Sequence, residues 1–257
     1  AIGERPWHRW YDEGVPRDIA VPGTTLPEQL RRTAERFANR PGTVFLDRPT
    51  SYGELFRLAA SFAALLKSLG VKPQDRVALL FPNVPLEVAC YYGAMLAGAT
   101  VVQINPLGTE QDMAHALKDS GAKVFVGLDA LVSKFAGGLR GAALEHVFLA
   151  RIADALPLPL RLGYTLKAWL GKVPVPPPGT GEDLGPRLAR AAPDFSPTPA
   201  GPEDLALLQY TGGTTGRPKA AMLTQRNLVA NVEQSRVWER ANEEGRRALI
   251  KRLIVAQ

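Results

Sequence analysis

The sequence predicts an α/β fold built on a largely parallel sheet. Three observations carry this. Between residues 43 and 127, short apolar runs of strand length alternate with stretches of helical periodicity. One run, "DRVALLF" at 75–81, is almost continuously apolar, as a strand buried on both faces must be. The helical stretches between the runs are long enough to cross between parallel neighbours, about 10–15 residues each.

Each element has its own local signal. In "PEQLRRTAERFAN" (27–39), Leu30, Ala34 and Phe37 share a helical face, and Pro27 suits a first turn. "TVFLD" (43–47) reads as a short strand. "SYGELFRLAASFAALLKSLG" (51–70) repeats apolar residues every three or four positions and stops at Gly70, a helix terminator. After the 75–81 strand come the helix "PLEVACYYGAMLAG" (85–98) and the strand "ATVVQIN" (99–105). The helix "EQDMAHALKDSG" (110–121) and the strand "KVFVG" (123–127) complete the alternation, so 1–150 reads as a first α/β subdomain. A second segment, 151–202, combines an apolar-basic helix at 155–172 with a Pro-rich stretch expected to be a solvated linker or surface loop. The third, 203–257, opens with the strand "DLALLQY", passes through a Gly/Thr loop and continues as helices, the last in two pieces divided by Gly245.

Composition sets limits on partners. The 257 residues are 46% hydrophobic and 22% charged, with 31 Lys+Arg against 25 Asp+Glu, a formal charge of +6. That balance suits anionic partners such as nucleotides, CoA and acidic lipids. Nucleic acid is not expected, because finger spacing, RNA-binding aromatics and dense basic runs are missing. A single cysteine, Cys90, excludes an internal disulfide and reads as a buried structural residue. His8, His115 and His146 lack ligand spacing, so no resident metal is expected. The polar, Pro-containing start "AIGERPWHRWYDEGVP" is unlike a signal peptide, and a cytoplasmic location is expected.

The chemistry concentrates in "YTGGTTGRPKAAMLT" (210–224). Glycines let the backbone turn with positive φ and bring its N–H groups close to a ligand. Successive amides arranged in this way form an anion-binding concavity. Thr211, Thr214 and Thr215 add hydroxyls, and Lys219 adds a compact charge. The spacing is not that of a Walker A loop. A phosphate cradle and a plain inter-strand turn both remain open on this chemistry, the cradle preferred.

"TGGTTGRPK" resembles the phosphate-binding loop of the adenylate-forming enzymes, among them acyl-CoA synthetases. With "AAMLTQRNLVANV" following, the spelling is most similar to bacterial long-chain fatty-acid–CoA ligases. "RPWHRWYDEGVP", "GVKPQDRVALLFPNVPLEVACYYGAMLAGATVVQINPL" and "DMAHALKDSGAKVFV" resemble other parts of those ligases. The resemblance implies ATP, Mg2+ and CoA as reactants with a fatty acid, forming acyl-AMP and then acyl-CoA. It implies that Thr211, Gly212, Gly213, Thr214, Thr215, Gly216 and Lys219 cradle the β- and γ-phosphates. Ala220 stands where the family usually carries Gly, and Gly108 where the long-chain group tends to carry Tyr.

The family's acidic Mg-ATP element, ribose-binding Asp, hinge and catalytic Lys have no counterpart up to residue 257. The chain is therefore expected to be an N-terminal fragment, the incomplete N-terminal portion of an adenylate-forming large domain, and inactive alone. A ligase for aryl, coumaryl or medium-chain acids is the nearest alternative, and a truncated, non-catalytic binding module the next. Residues 155–172 carry two readings: an amphipathic contact with a membrane surface, or, preferred here, a helix packed on the domain. Self-association stays open.

Overall fold

The computed structural model describes residues 5–11, 15–171, 173–211 and 218–241. A 3-10 turn at Pro6–Trp10 precedes α1 (Leu26–Phe37) and a hairpin of β1 (Pro41–Phe45) and β2 (Arg48–Ser51). Then come α2 (Tyr52–Ser68), β3 (Arg76–Leu80), α3 (Pro85–Leu96), β4 (Thr100–Gln103), α4 (Glu110–Ser120) and β5 (Val124–Leu128). The chain continues through α5 (Asp129–Phe135), β6 (His146–Ala150), α6 (Ile152–Ala155), α7 (Leu158–Trp169), β7 (Glu182–Asp183) and α8 (Leu184–Arg190). It closes with β8 (Leu205–Thr211), β9 (Lys219–Thr224) and α9 (Gln225–Ala241).

Seven strands form one sheet in the order β7-β6-β5-β3-β4-β8-β9. Only the β8–β9 ladder is antiparallel; the others are parallel, as the alternation of strand and helix predicts. The strand pleat divides the core. Val77 and Leu79 of β3 join one hydrophobic cluster, with α1, α2, α3 and α8. Ala78 and Leu80 join the other, with α4 and α5. A period-2 backbone carrying apolar residues at every position must be covered on both faces, and here it is.

Helix ends follow the sequence signals. Ser51 Oγ accepts from Glu54 N at 3.2 Å while the Glu54 carboxylate accepts from Ser51 N at 2.8 Å, a capping box that starts α2. Thr109 and Asp112 repeat the device on α4, which ends at left-handed Gly121 (φ 60°). The tightest crossing is α2 on α3. A Cβ at Gly93 would lie 2.6 Å from the Ala59 carbonyl oxygen and 3.0 Å from Phe62 Cβ, so only glycine allows this approach.

Several features depart from expectation. The strand expected at 43–47 turns at Leu46 and Asp47, both with positive φ (47° and 60°), and returns as β2. Two positive-φ residues make a hairpin turn of the kind glycine or asparagine usually signals, and neither is present. The Pro-rich segment is built into the domain rather than solvated throughout. Leu184 and Leu188 of α8 are buried, Lys67 Nζ pairs with Asp194 at 2.8 Å, and Thr198 N donates to Leu96 O at 2.8 Å. After the Gly/Thr loop the chain forms the strand β9 before any helix. The expected break at Gly245 lies outside the described residues.

Candidate functional site

Strand β8 runs parallel to β4, with Gln209 beside Gln103, so residue 211 emerges at the carboxyl edge of the parallel sheet. Ligands of open α/β sheets gather along that edge. Strand β9 returns antiparallel, and Thr211 pairs with Lys219. Thr211 Oγ1 also donates to the Lys219 carbonyl oxygen at 3.3 Å. Of the seven residues the sequence assigns to a phosphate cradle, these two are thus brought face to face, and both are exposed. Gly212, Gly213, Thr214, Thr215 and Gly216 lie outside the described residues.

The feet of this connection are anchored from the α4 face. His115 Nε2 donates to the Pro218 carbonyl oxygen at 2.9 Å, so that nitrogen carries the hydrogen. Tyr210 OH donates to Asp119 Oδ2 at 2.6 Å. Burial, then the neighbouring Asp119 carboxylate, pushes the Tyr210 hydroxyl well above its ordinary range, so it stays a phenol and a donor. Behind β9, Gln225 is buried, and its Oε1 accepts from Leu26 N at 3.0 Å, tying α9 to α1. The hairpin base is therefore held on both sides. Exposed Lys219 makes no side-chain ion pair among the described residues, which leaves its charge available to an anion.

Sequence reasoning missed a polar pair beneath this edge. Glu87, in the first turn of α3, interacts with Gln103 at the end of β4, and burial raises its carboxyl above the ordinary glutamate value. Gln103 Oε1 is itself buried without a partner among the described residues. The available signal was one acidic residue in an otherwise apolar helix, "PLEVACYY". Because the folded carboxyl keeps its proton to higher pH than the unfolded one, the folded state loses ground as pH rises past about 4.5. Glu87→Gln is expected to raise the urea midpoint at pH 7 and to change it less well below pH 4.5, where the carboxyl is protonated folded and unfolded alike. An unchanged pH profile would contradict this environment.

Cys90 is fully buried, and burial pushes its thiol up, which fits a packing role. Among the described residues no group of three or more His, Cys, Asp or Glu side chains converges to hold a metal ion. Among them, too, no helix is long and apolar enough to cross a membrane.

Comparison with known proteins extends the picture. The sequence profile of a family described as "AMP-binding enzyme" matches residues 30–251. A long-chain-fatty-acid–CoA ligase of Bacillus subtilis (strain 168) is 32% identical over 246 residues, covering 94% of this chain and 44% of the relative. A ligase of the same name from Escherichia coli O157:H7 is 35% identical over 245 residues, covering 90% and 42%. Among solved structures, a long-chain-fatty-acid–CoA ligase from Archaeoglobus fulgidus superposes with a TM-score of 0.67 at 27% identity, over 88% of this chain and 42% of that one. The chain spans less than half the length of the curated relatives it matches.

Proposed function

We propose a role for this chain, which belongs to the AMP-binding enzyme family: it supplies the phosphate-holding hairpin of a ligase that joins a long-chain fatty acid to CoA. The observation that supports this best is the clamped base of the 212–217 connection, with Thr211 and Lys219 paired at the carboxyl edge of the sheet. The long-chain acid follows the names of the Bacillus and Escherichia relatives.

In the proposed reaction a carboxylate oxygen attacks the α-phosphorus of ATP, and the bond to pyrophosphate breaks. The CoA thiol then attacks the acyl carbon, and AMP leaves. Lys219, the threonine hydroxyls and the loop amides would hold the β- and γ-phosphates and stabilise the charge growing on departing pyrophosphate. Mg2+ would enter with ATP.

The test is a chimera in which this chain replaces the matching portion of the Bacillus subtilis ligase. Formation of palmitoyl-CoA in preference to benzoyl- or feruloyl-CoA is expected. A folded chimera that uses the aromatic acids and ignores palmitate would contradict the long-chain assignment.

A peripheral membrane contact belongs to the same proposal, because α7 turns its apolar stripe outward. Leu162, Leu166, Trp169 and Leu170 are 64%, 57%, 80% and 50% exposed, while Tyr164 and Ala168 face inward. This favours the interfacial reading over the packed-helix reading that the sequence alone prefers. Lys167 stands beside the stripe without an ion pair among the described residues, a pattern suited to an anionic lipid surface. Replacing Trp169 and Leu170 with Ser is expected to weaken co-sedimentation with phosphatidylserine vesicles roughly tenfold. Unchanged co-sedimentation would end the membrane reading.

A further inference from the structure

The chain reverses direction across the sheet at one point away from the phosphate hairpin. From β3 it passes to α3 on the face of the first cluster and on to β4; α4 then returns over the opposite face to β5, on the other side of β3. The segments leaving neighbouring β3 and β5 therefore diverge to opposite faces, and such a switch point opens a crevice at the carboxyl ends of the strands. A cavity of about 530 Å³ lies there. It is lined by Val84 and Pro85 after β3 and by Leu128 at the end of β5, and closed by Leu58 and Ser61 of α2 and Leu188 of α8.

The charged lining is one-sided. Arg48, Arg57 and Arg151 border the cavity against a single acid, Asp154. All three arginines are solvent-exposed, which places them where the cavity meets water. Their partners leave positive charge to spare. Arg48 Nη1 donates to the Asp154 carbonyl oxygen at 3.2 Å, and Arg151 pairs with Asp183. The Asp154 carboxylate is shared with Arg161 at 3.3 Å, outside the cavity lining. The Arg57 guanidinium makes no hydrogen bond or ion pair among the described residues; its field only helps keep the Glu54 carboxylate ionised.

We propose that this switch-point cavity binds a single-tailed anionic amphiphile, a carboxylate with an alkyl chain of medium length. The apolar walls take the tail, and the arginine rim, Arg57 foremost, takes the carboxylate. The volume falls within the usual span of small-molecule pockets, about 300–1,000 Å³. The site is set apart from the phosphate hairpin: its β3 and β5 walls lie two and three strand positions from β8, about 10 and 14 Å across the sheet. In this proposal the carboxylate held on the arginine rim is a second ligand, and the proposal does not rest on the ligase reading.

Calorimetric titration of the chain with decanoate, decanol and decyltrimethylammonium, each below its micellar concentration, tests it. Saturable 1:1 binding of decanoate is expected, about tenfold or more tighter than decanol, with no binding of the cation. Arg57→Gln should weaken decanoate about tenfold and leave decanol unchanged, whereas Ser61→Leu, which fills the cavity, should weaken both. Arg57 is exposed, so its variant folds even if the buried Ser61 change does not. Absence of saturable decanoate binding, equal binding of acid and cation, or indifference to Arg57→Gln would overturn the proposal.

Discussion

Replacing Phe62 with alanine is expected to lower the unfolding free energy by about 3–5 kcal/mol. Phe62 is fully buried on α2, within the cluster that lies between the helices and the sheet. Its Cβ and ring edge both stand 3.0 Å from where a Cβ on Gly93 would be, so α2 and α3 are locked at that crossing with no spare volume. Such a site cannot collapse around a deleted ring, which puts the loss in the upper range for large-to-small changes. The reverse substitution probes the same contact from the other helix. Gly93→Val is expected to destabilise by about 1–3 kcal/mol or more, because the added carbon meets the Ala59 carbonyl, which is backbone and cannot swing aside. Urea unfolding at constant m-value measures both changes. A loss below about 1 kcal/mol for Phe62→Ala would mean the crossing is loosely packed.

The largest expected functional effect belongs to Lys219. In the Bacillus chimera, Lys219→Ala is expected to reduce turnover about 10²–10³-fold, the range seen when one preorganised donor to a developing charge is removed. Stability should hardly move, within about 0.5 kcal/mol, since the side chain is exposed and makes no ion pair among the described residues. Steady-state kinetics with ATP varied, alongside thermal unfolding, separates the two effects. A defect confined to KM for the fatty acid would contradict a role at the phosphates.

How much of this was legible in the sequence depended on how a residue's environment is written locally. Strands β3, β4 and β5 were legible because burial on both faces demands apolar residues at consecutive positions. Helix α2 was legible from its apolar residues every three or four positions and from Gly70 at its end, and α4 from its place in the alternation of strands and helices; the capping boxes Ser51–Glu54 and Thr109–Asp112 emerged only in the structure. The β1–β2 turn was not, because Leu46 and Asp47 adopt positive φ without the glycine or asparagine that signals such a turn. Helix α8 was hidden by the prolines around it, its two buried leucines being too few to show a period. Strand β9 was missed because an edge strand alternates weakly; Met222 is 69% exposed. For the site, the residue types in the loop left a phosphate cradle and a plain turn both open, and the resemblance of "TGGTTGRPK" to a phosphate-binding loop pointed to the cradle. The pairing of Thr211 with Lys219, the His115 anchor and the Glu87–Gln103 contact arise only when distant segments meet.

The account turns on the claim that the connection between β8 and β9 holds the phosphates of ATP. The measurement that tests this most directly is equilibrium binding of Mg-ATP, and of inorganic pyrophosphate as competitor, to two forms of the chain. One form is intact. In the other, residues 212–218 are replaced by Asn-Gly, which closes the Thr211–Lys219 pair as a tight hairpin and leaves Lys219 in place. The account predicts saturable binding competed by pyrophosphate in the intact chain, and its loss in the shortened one with cooperative unfolding retained. Equal affinity of the two forms for Mg-ATP would contradict it.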